Sequence, residues 1–118
     1  GRTAAEMETV LDALPDARVC LDLAHAHQVD FSLNETRRML HAFGDRIGQI
    51  HLSQLDHACR HEPLTHGIVD VFHALVPLLP NTAVILETCV AESGIAEQLE
   101  LARRAMDCDV IRPSCAAE

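Results

Sequence analysis

The chain contains no tryptophan, no tyrosine and only three phenylalanines. Aromatic platforms on which nucleobases could stack are therefore scarce. Cationic side chains are few as well: nine Lys and Arg stand against eighteen Asp and Glu, a net charge of −9 with histidine neutral. Such a balance argues against a protein whose main partner is a nucleic-acid backbone, and the plain role of the acidity is to keep the protein soluble. No apolar run approaches the length of a membrane span. No basic n-region leads into an apolar h-region, so no signal peptide is predicted. The five cysteines, at 20, 59, 89, 108 and 115, are odd in number and form no C-x-x-C pair. Reduced thiols in the cytoplasm fit them better than a disulfide framework. No strand leads into G-x-G-x-x-G, so a dinucleotide fold would lack its phosphate-binding turn.

What is present is a foldable core. The 118 residues are enough for one domain, and 48% of them are apolar, which excludes a disordered or fibrous chain. The chain opens on Gly1 without an initiator Met, and a processed, trimmed or partial chain is the expectation. Eight histidines are many for this length, and where they fall matters more than their number.

Thr3-Ala4-Ala5-Glu6 has capping-box spacing. It predicts a helix from about Ala4 to Leu14, stopped by Pro15. Arg18 to Ala24 reads as the first strand, and His25 to Leu33 as a loop. Ser32-Leu33-Asn34-Glu35 is a second capping box, opening a helix to about Phe43 with Gly44 as its stop. Arg46 to Leu52 is the second strand. Ser53 to His66 is a long polar loop rich in histidine, and loops of that length inside compact domains are usually functional or disordered. Gly67 to Leu79 predicts a helix bent or tightened by Pro77, Thr82 to Glu87 a third strand, and Ile95 to Met106 a last helix. The final dozen residues read as a short extended piece and a loose tail. This alternation predicts an α/β fold with parallel strands and crossover helices. Strands so apolar fit a sheet covered on both faces or closed into a barrel.

The stretch Cys20 to His27, C-L-D-L-A-H-A-H, places an acid inside an apolar strand pattern. An unpaired carboxylate there is costly, so a cation or a strong donor is expected beside it. Asp22 with His25 makes a plausible pair of metal ligands; backbone donors satisfying Asp22, with a surface histidine nearby, are the alternative. The other strands repeat the theme, with His51 near the end of the second and Glu87 at the end of the third. In parallel α/β folds the carboxyl ends of the strands share one face, where sites form. An Asp, His and Glu set suits Zn, Mn, Fe, Co or Mg, so ligand type does not fix the metal.

The segments V-C-L-D-L-A-H, Q-I-H-L-S, R-H-E-P-L and V-I-L-E-T resemble the second half of the xylose isomerase-like TIM barrels. That superfamily includes sugar phosphate isomerases and epimerases and the endonuclease IV type of AP endonuclease. The likeness runs from about Arg18 to Met106. It implies the C-terminal three β/α units of a (β/α)8 barrel, with Arg46–Leu52 as the middle strand. It implies Asp22, His51 and Glu87 as ligands of a divalent metal, with Glu87 also in proton transfer. His25 would contact substrate, as in epimerases, or ligate a further zinc, as in the nucleases. The Arg60-His61 pair resembles the nuclease D-R-H motif, which makes His61 a further ligand and Arg60 a substrate contact. Cys59 stands where the nuclease has its Asp, which weakens a three-zinc site.

A full barrel has eight strands in about 250 residues, so the resemblance places the remaining strands, with a fifth-strand Glu, before Gly1. The implied partners are a small sugar or sugar phosphate and the missing N-terminal half of the barrel. The unpaired strand edges predict self-association or marginal stability. A zinc AP endonuclease and a non-catalytic metal-binding fragment are the competing functions.

Overall fold

The computed structural model describes residues 3–107. Helix α1, Ala4–Ala13, opens at Thr3, whose Oγ1 accepts from the Glu6 N–H at 3.2 Å, satisfying one of the unpaired donors of a helix start. Strand β1, Val19–Asp22, is shorter than the predicted Arg18 to Ala24. The reason is Asp22 itself. Its Oδ1 accepts from the His25 N–H at 2.9 Å, so the chain turns directly into helix α2, Leu23–Val29. The predicted loop from His25 is therefore helical over most of its length, with Leu23 and Ala24 buried.

Helix α3, Asn34–Phe43, forms as predicted but is capped differently. Asp30 Oδ2 accepts from the Glu35 N–H at 3.0 Å, and Asp30 Oδ1 accepts from the backbone and hydroxyl of Ser32. Glu35 does not fold back as the second half of a capping box. Its carboxylate accepts from the Ala4 N–H and from Arg38, which ties α3 to the start of α1. Gly44 adopts an ordinary right-handed conformation and begins a single 3-10 turn, Gly44–Arg46. The Arg46 guanidinium then donates to the carbonyls of Leu11, Leu14, Pro15 and Ala17, fastening the end of α1 to the entrance of the next strand.

Strand β2, Ile47–Leu52, is followed by a hairpin where a long loop was expected. Strands β3, Gln54–Leu55, and β4, His61–Glu62, pair antiparallel. Asp56 organises the turn: Oδ1 accepts from the Ala58 and Arg60 N–H groups, and Oδ2 accepts from the Arg60 guanidinium. These hydrogen bonds, that of the Arg60 backbone first, hold the Asp56 carboxyl below its ordinary pKa. Cys59 completes the turn at φ 61°, a left-handed conformation that non-glycine residues rarely adopt.

Helix α4, His66–His73, starts at the Thr65 cap and ends earlier than Leu79. Pro77 cannot continue an α-helix, and Val76–Leu78 form a separate 3-10 turn. Strand β5, Ala83–Leu86, and helix α5, Ile95–Met106, follow. The expected extended piece and tail fall mostly beyond Asp107, outside the described residues.

The main sheet has the order β1-β2-β5, all parallel, with β2 in the middle as expected. Val19, Leu21, Ile50 and Leu52 are buried with Phe43 of α3, Phe72 of α4 and Leu101 of α5 in one core. Alternate positions point the other way. Cys20 pairs with Gln49 and Gln49 with Ala83; Asp22 pairs with His51 and His51 with Ile85. Among the described residues that second face is open, with Cys20, Ala83 and Ile85 exposed. The sheet is thus covered on one face, and the open face carries the polar side chains.

Candidate metal centre

Three side chains meet where the three parallel strands end. Asp22 is the last residue of β1, and His51 lies opposite it in β2. Glu87 follows β5 directly, and its N–H still donates to the Leu52 carbonyl at 2.9 Å. The ladder therefore carries the carboxylate up beside the imidazole. One ligand atom from each of Asp22, His51 and Glu87 lies within 4.8 Å of the others, and all three residues are partly buried. His51 Nδ1 and Glu87 Oε1 are 3.1 Å apart.

The donor set fits a divalent cation. Two carboxylates brought together in a partly buried place repel each other, and a cation between them removes that repulsion. A separation of 3.1 Å is natural for two donors sharing one ion with bonds of roughly 2.0–2.2 Å. Among the described residues no other group of three or more Asp, Glu, His or Cys side chains converges in this way.

The remaining expected site residues surround this group. His25 is half exposed, with Nε2 4.0 Å from Asp22 Oδ2. Its ring meets that of His61 edge-on at 5.5 Å. His61 is held from behind by Ser53, whose Oγ is 2.8 Å from Nδ1. His61 thus stands beside His25 and not within the converged group of three. Arg60 is carried away on the hairpin, largely exposed, with its guanidinium engaged by Asp56 at 2.8 Å. Along the free edge of β1 an open groove of about 640 Å³ runs from Met7 and Val19 to Asp22, His25 and Cys59. Cys20, on the open face below Asp22, has its thiol pKa pushed up by partial desolvation among its strand neighbours and by the nearby charges of Asp22 and Glu87.

The sequence model of the xylose isomerase-like TIM barrel family matches residues 1–107. The chain belongs to this family. Its described residues hold three parallel strands, part of the eight-stranded barrel, and the converged side chains lie at the carboxyl ends where barrel sites form. No curated protein and no solved structure matches the chain. No helix among the described residues is long and apolar enough to cross a membrane.

Two polar neighbours of the site had no role assigned from the sequence. Gln49 lies two residues before His51, and strand period alone puts both on one face. Ser53 is fully buried behind His61, and only the hairpin, which sequence patterning did not show, brings them together.

Proposed function

We propose that the chain is three β/α units of a divalent-metal-dependent sugar or sugar-phosphate isomerase or epimerase. The carrying observation is the convergence of Asp22, His51 and Glu87 at three adjacent strand ends. Asp22, His51 and Glu87 would hold the metal, which when bound supplies Lewis-acid polarisation of substrate oxygens and acidifies the neighbouring C–H. Glu87, about one-third exposed at its strand end, would hold or move a proton at that carbon. His25, half exposed at the rim, would hydrogen-bond a substrate hydroxyl. The surroundings favour an uncharged or singly anionic small substrate over a polyanion. Arg38, Arg60 and Arg103 are paired with Glu35, Asp56 and Glu100, and Arg37 and Arg46 with backbone carbonyls.

A zinc AP endonuclease is the second reading. It is favoured by the Arg60-His61 pair on the hairpin, which sets the His61 ring against His25. The deciding experiment incubates the full-length, metal-loaded protein with a panel of ketoses and their phosphates, and separately with an abasic-site duplex at low salt. Metal-dependent sugar interconversion, lost in Glu87→Gln, is expected. Strand nicking with no sugar turnover would reverse the assignment. Metal binding with neither reaction would point to a non-catalytic metal-binding domain.

A further inference from the structure

We infer that the cavity between helix α2, the hairpin and helix α4 is a second binding site, and that its ligand is a small, neutral, planar nitrogen heterocycle. The inference goes beyond the metal reading and does not depend on it. His25 and His27 are two residues apart on α2 and so stand on opposite sides of it; His25 belongs to the metal side and His27 lines this cavity. The cavity holds about 380 Å³, within the roughly 300–1,000 Å³ of small-molecule pockets.

One side of it is aromatic. Phe72 is fully buried, His27 meets its ring edge-on at 5.9 Å, and Phe31 meets His27 edge-on at 5.0 Å. Phe31 itself is 73% exposed, and its loop keeps it there. Asp30 binds the Ser32 backbone and the Glu35 N–H, and Leu33 is buried in a left-handed conformation at φ 62°. A bulky residue rarely adopts that conformation. The turn thus accepts backbone strain to bury Leu33 and leaves the larger aromatic ring in water beside the cavity. A flat ligand covering that ring would gain apolar burial and an aromatic contact.

Two amides on the walls have hydrogen-bonding capacity left. Gln54 Oε1 accepts from the Thr65 N–H and hydroxyl, and Gln28 Nε2 donates to the Asp56 carbonyl at 3.4 Å. Among the described residues no partner meets Gln54 Nε2 or Gln28 Oε1, so the walls offer one donor and one acceptor. They offer no free charge. Among the described residues no Lys or Arg lines the cavity, and its one carboxylate, Asp56, is engaged by Arg60 at 2.8 Å. An ion entering would lose hydration without a counter-charge, whereas a neutral heterocycle brings a ring face, a donor and an acceptor.

The test titrates the 118-residue chain, metal-free, with nicotinamide at pH 8, where histidine is neutral, and follows the protein resonances by NMR. Saturable shifts are expected at Ala24, Ile68 and Val71. Phe31→Ala, at an exposed position, is expected to weaken binding roughly 5–150-fold, the range for loss of one ring stack, while Phe31→Tyr keeps it. Three matched probes separate the chemistry: cyclohexanecarboxamide, which lacks the flat ring, nicotinate, an anion, and the ring-methylated nicotinamide cation. Each is expected to bind about tenfold more weakly or worse, a difference of about 1.4 kcal/mol. No saturable shift, shifts centred on Asp22 and His51, or an affinity that Phe31→Ala leaves unchanged would overturn the inference. So would cyclohexanecarboxamide or either ion binding as tightly as nicotinamide.

Discussion

Asp22 has two duties that one pair of substitutions separates. Its Oδ1 caps helix α2 through the His25 N–H at 2.9 Å, and the same carboxylate is one of the three converged groups. Asp22→Ala removes both. Asp22→Asn keeps an oxygen for the cap and removes the charge. Losing an N-cap oxygen costs about 1 kcal/mol, or roughly 4–5 °C of melting temperature for a chain of this size. Helix α2 has only seven residues, too few to form without its cap and its packing. Asp22→Asn should melt close to the native chain in chelator, since the cap remains and one of two repelling carboxylates is gone. With zinc at about 100 times its dissociation constant, the native chain gains about 2.7 kcal/mol, roughly 10 °C. Both variants should lose most of that gain. Differential scanning calorimetry with and without zinc reads all six states. A full zinc shift in Asp22→Asn would show that Asp22 is only a cap and would refute the ligand assignment.

Gln98 is buried on α5, where its Oε1 accepts from the Leu64 N–H at 2.7 Å and its Nε2 donates to the Leu64 carbonyl. Gln98→Ala strands two buried backbone groups at about 1–3 kcal/mol each, so urea unfolding should show a loss of roughly 2–6 kcal/mol; a loss under about 1 kcal/mol would mean that water reaches Leu64. Acid should destabilise the chain through Asp30, whose carboxyl is held below its ordinary value by hydrogen bonds from Ser32 and Glu35. A depressed carboxyl contributes stability above its unfolded value, near 4, and loses it as pH falls through the folded value, so Asp30→Ala should flatten the acid limb of stability against pH. His27 adds a milder trend, because burial lowers its pKa: its contribution is present above the unfolded value near 6.5 and shrinks as pH falls below it. The open sheet face and the free edge of β5 expose Val84 at 38% and Ile85 at 41%, so sedimentation should show concentration-dependent association that Ile85→Lys reduces; a clean monomer with a sharp, concentration-independent transition would count against this.

The strand ends were legible because each breaks an apolar run with a residue that cannot be buried alone. Asp22, His51 and Glu87 stand out in sequence for that reason, and the parallel order puts their strand ends side by side. Helix α5 was legible from its period, and its limits are as predicted. Helix α2 was not, because Leu23 and Ala24 continue the apolar pattern of β1 while the Asp22 carboxylate has already started the helix. A side-chain cap inside a run of this kind looks like strand. The hairpin after β2 was hidden for a similar reason. Its turn contains no glycine or asparagine, and Asp56 does their work while Cys59 takes the left-handed conformation. Asp30 displaced the second capping box because its carboxylate takes the Glu35 N–H and also binds the backbone and hydroxyl of Ser32, leaving the Ser32 Oγ to accept from Asn34.

The middle strand explains why these residues act together. His51 is the only one of the three on a strand with neighbours on both sides, β1 through Asp22 and β5 through Ile85. Backbone hydrogen bonds hold the three strands along their length, but at their carboxyl ends the two outer chains leave the sheet, β1 into α2 and β5 toward α5. There the side chains of Asp22, His51 and Glu87 take over as the cross-strand link. Without a cation that link is weak, since two carboxylates crowd one imidazole. With one, three strand ends are joined at a single point, and binding free energy becomes stability of the open sheet. The elements leaving at that point, α2 with His25 and the hairpin with His61, would be steadied by the same event. Metal binding should therefore protect the amides of Leu21, Ile50 and Leu86 from hydrogen exchange more than those of α1, which lies outside the sheet and packs on α3. Uniform protection across the chain would mean that the metal acts on global stability alone.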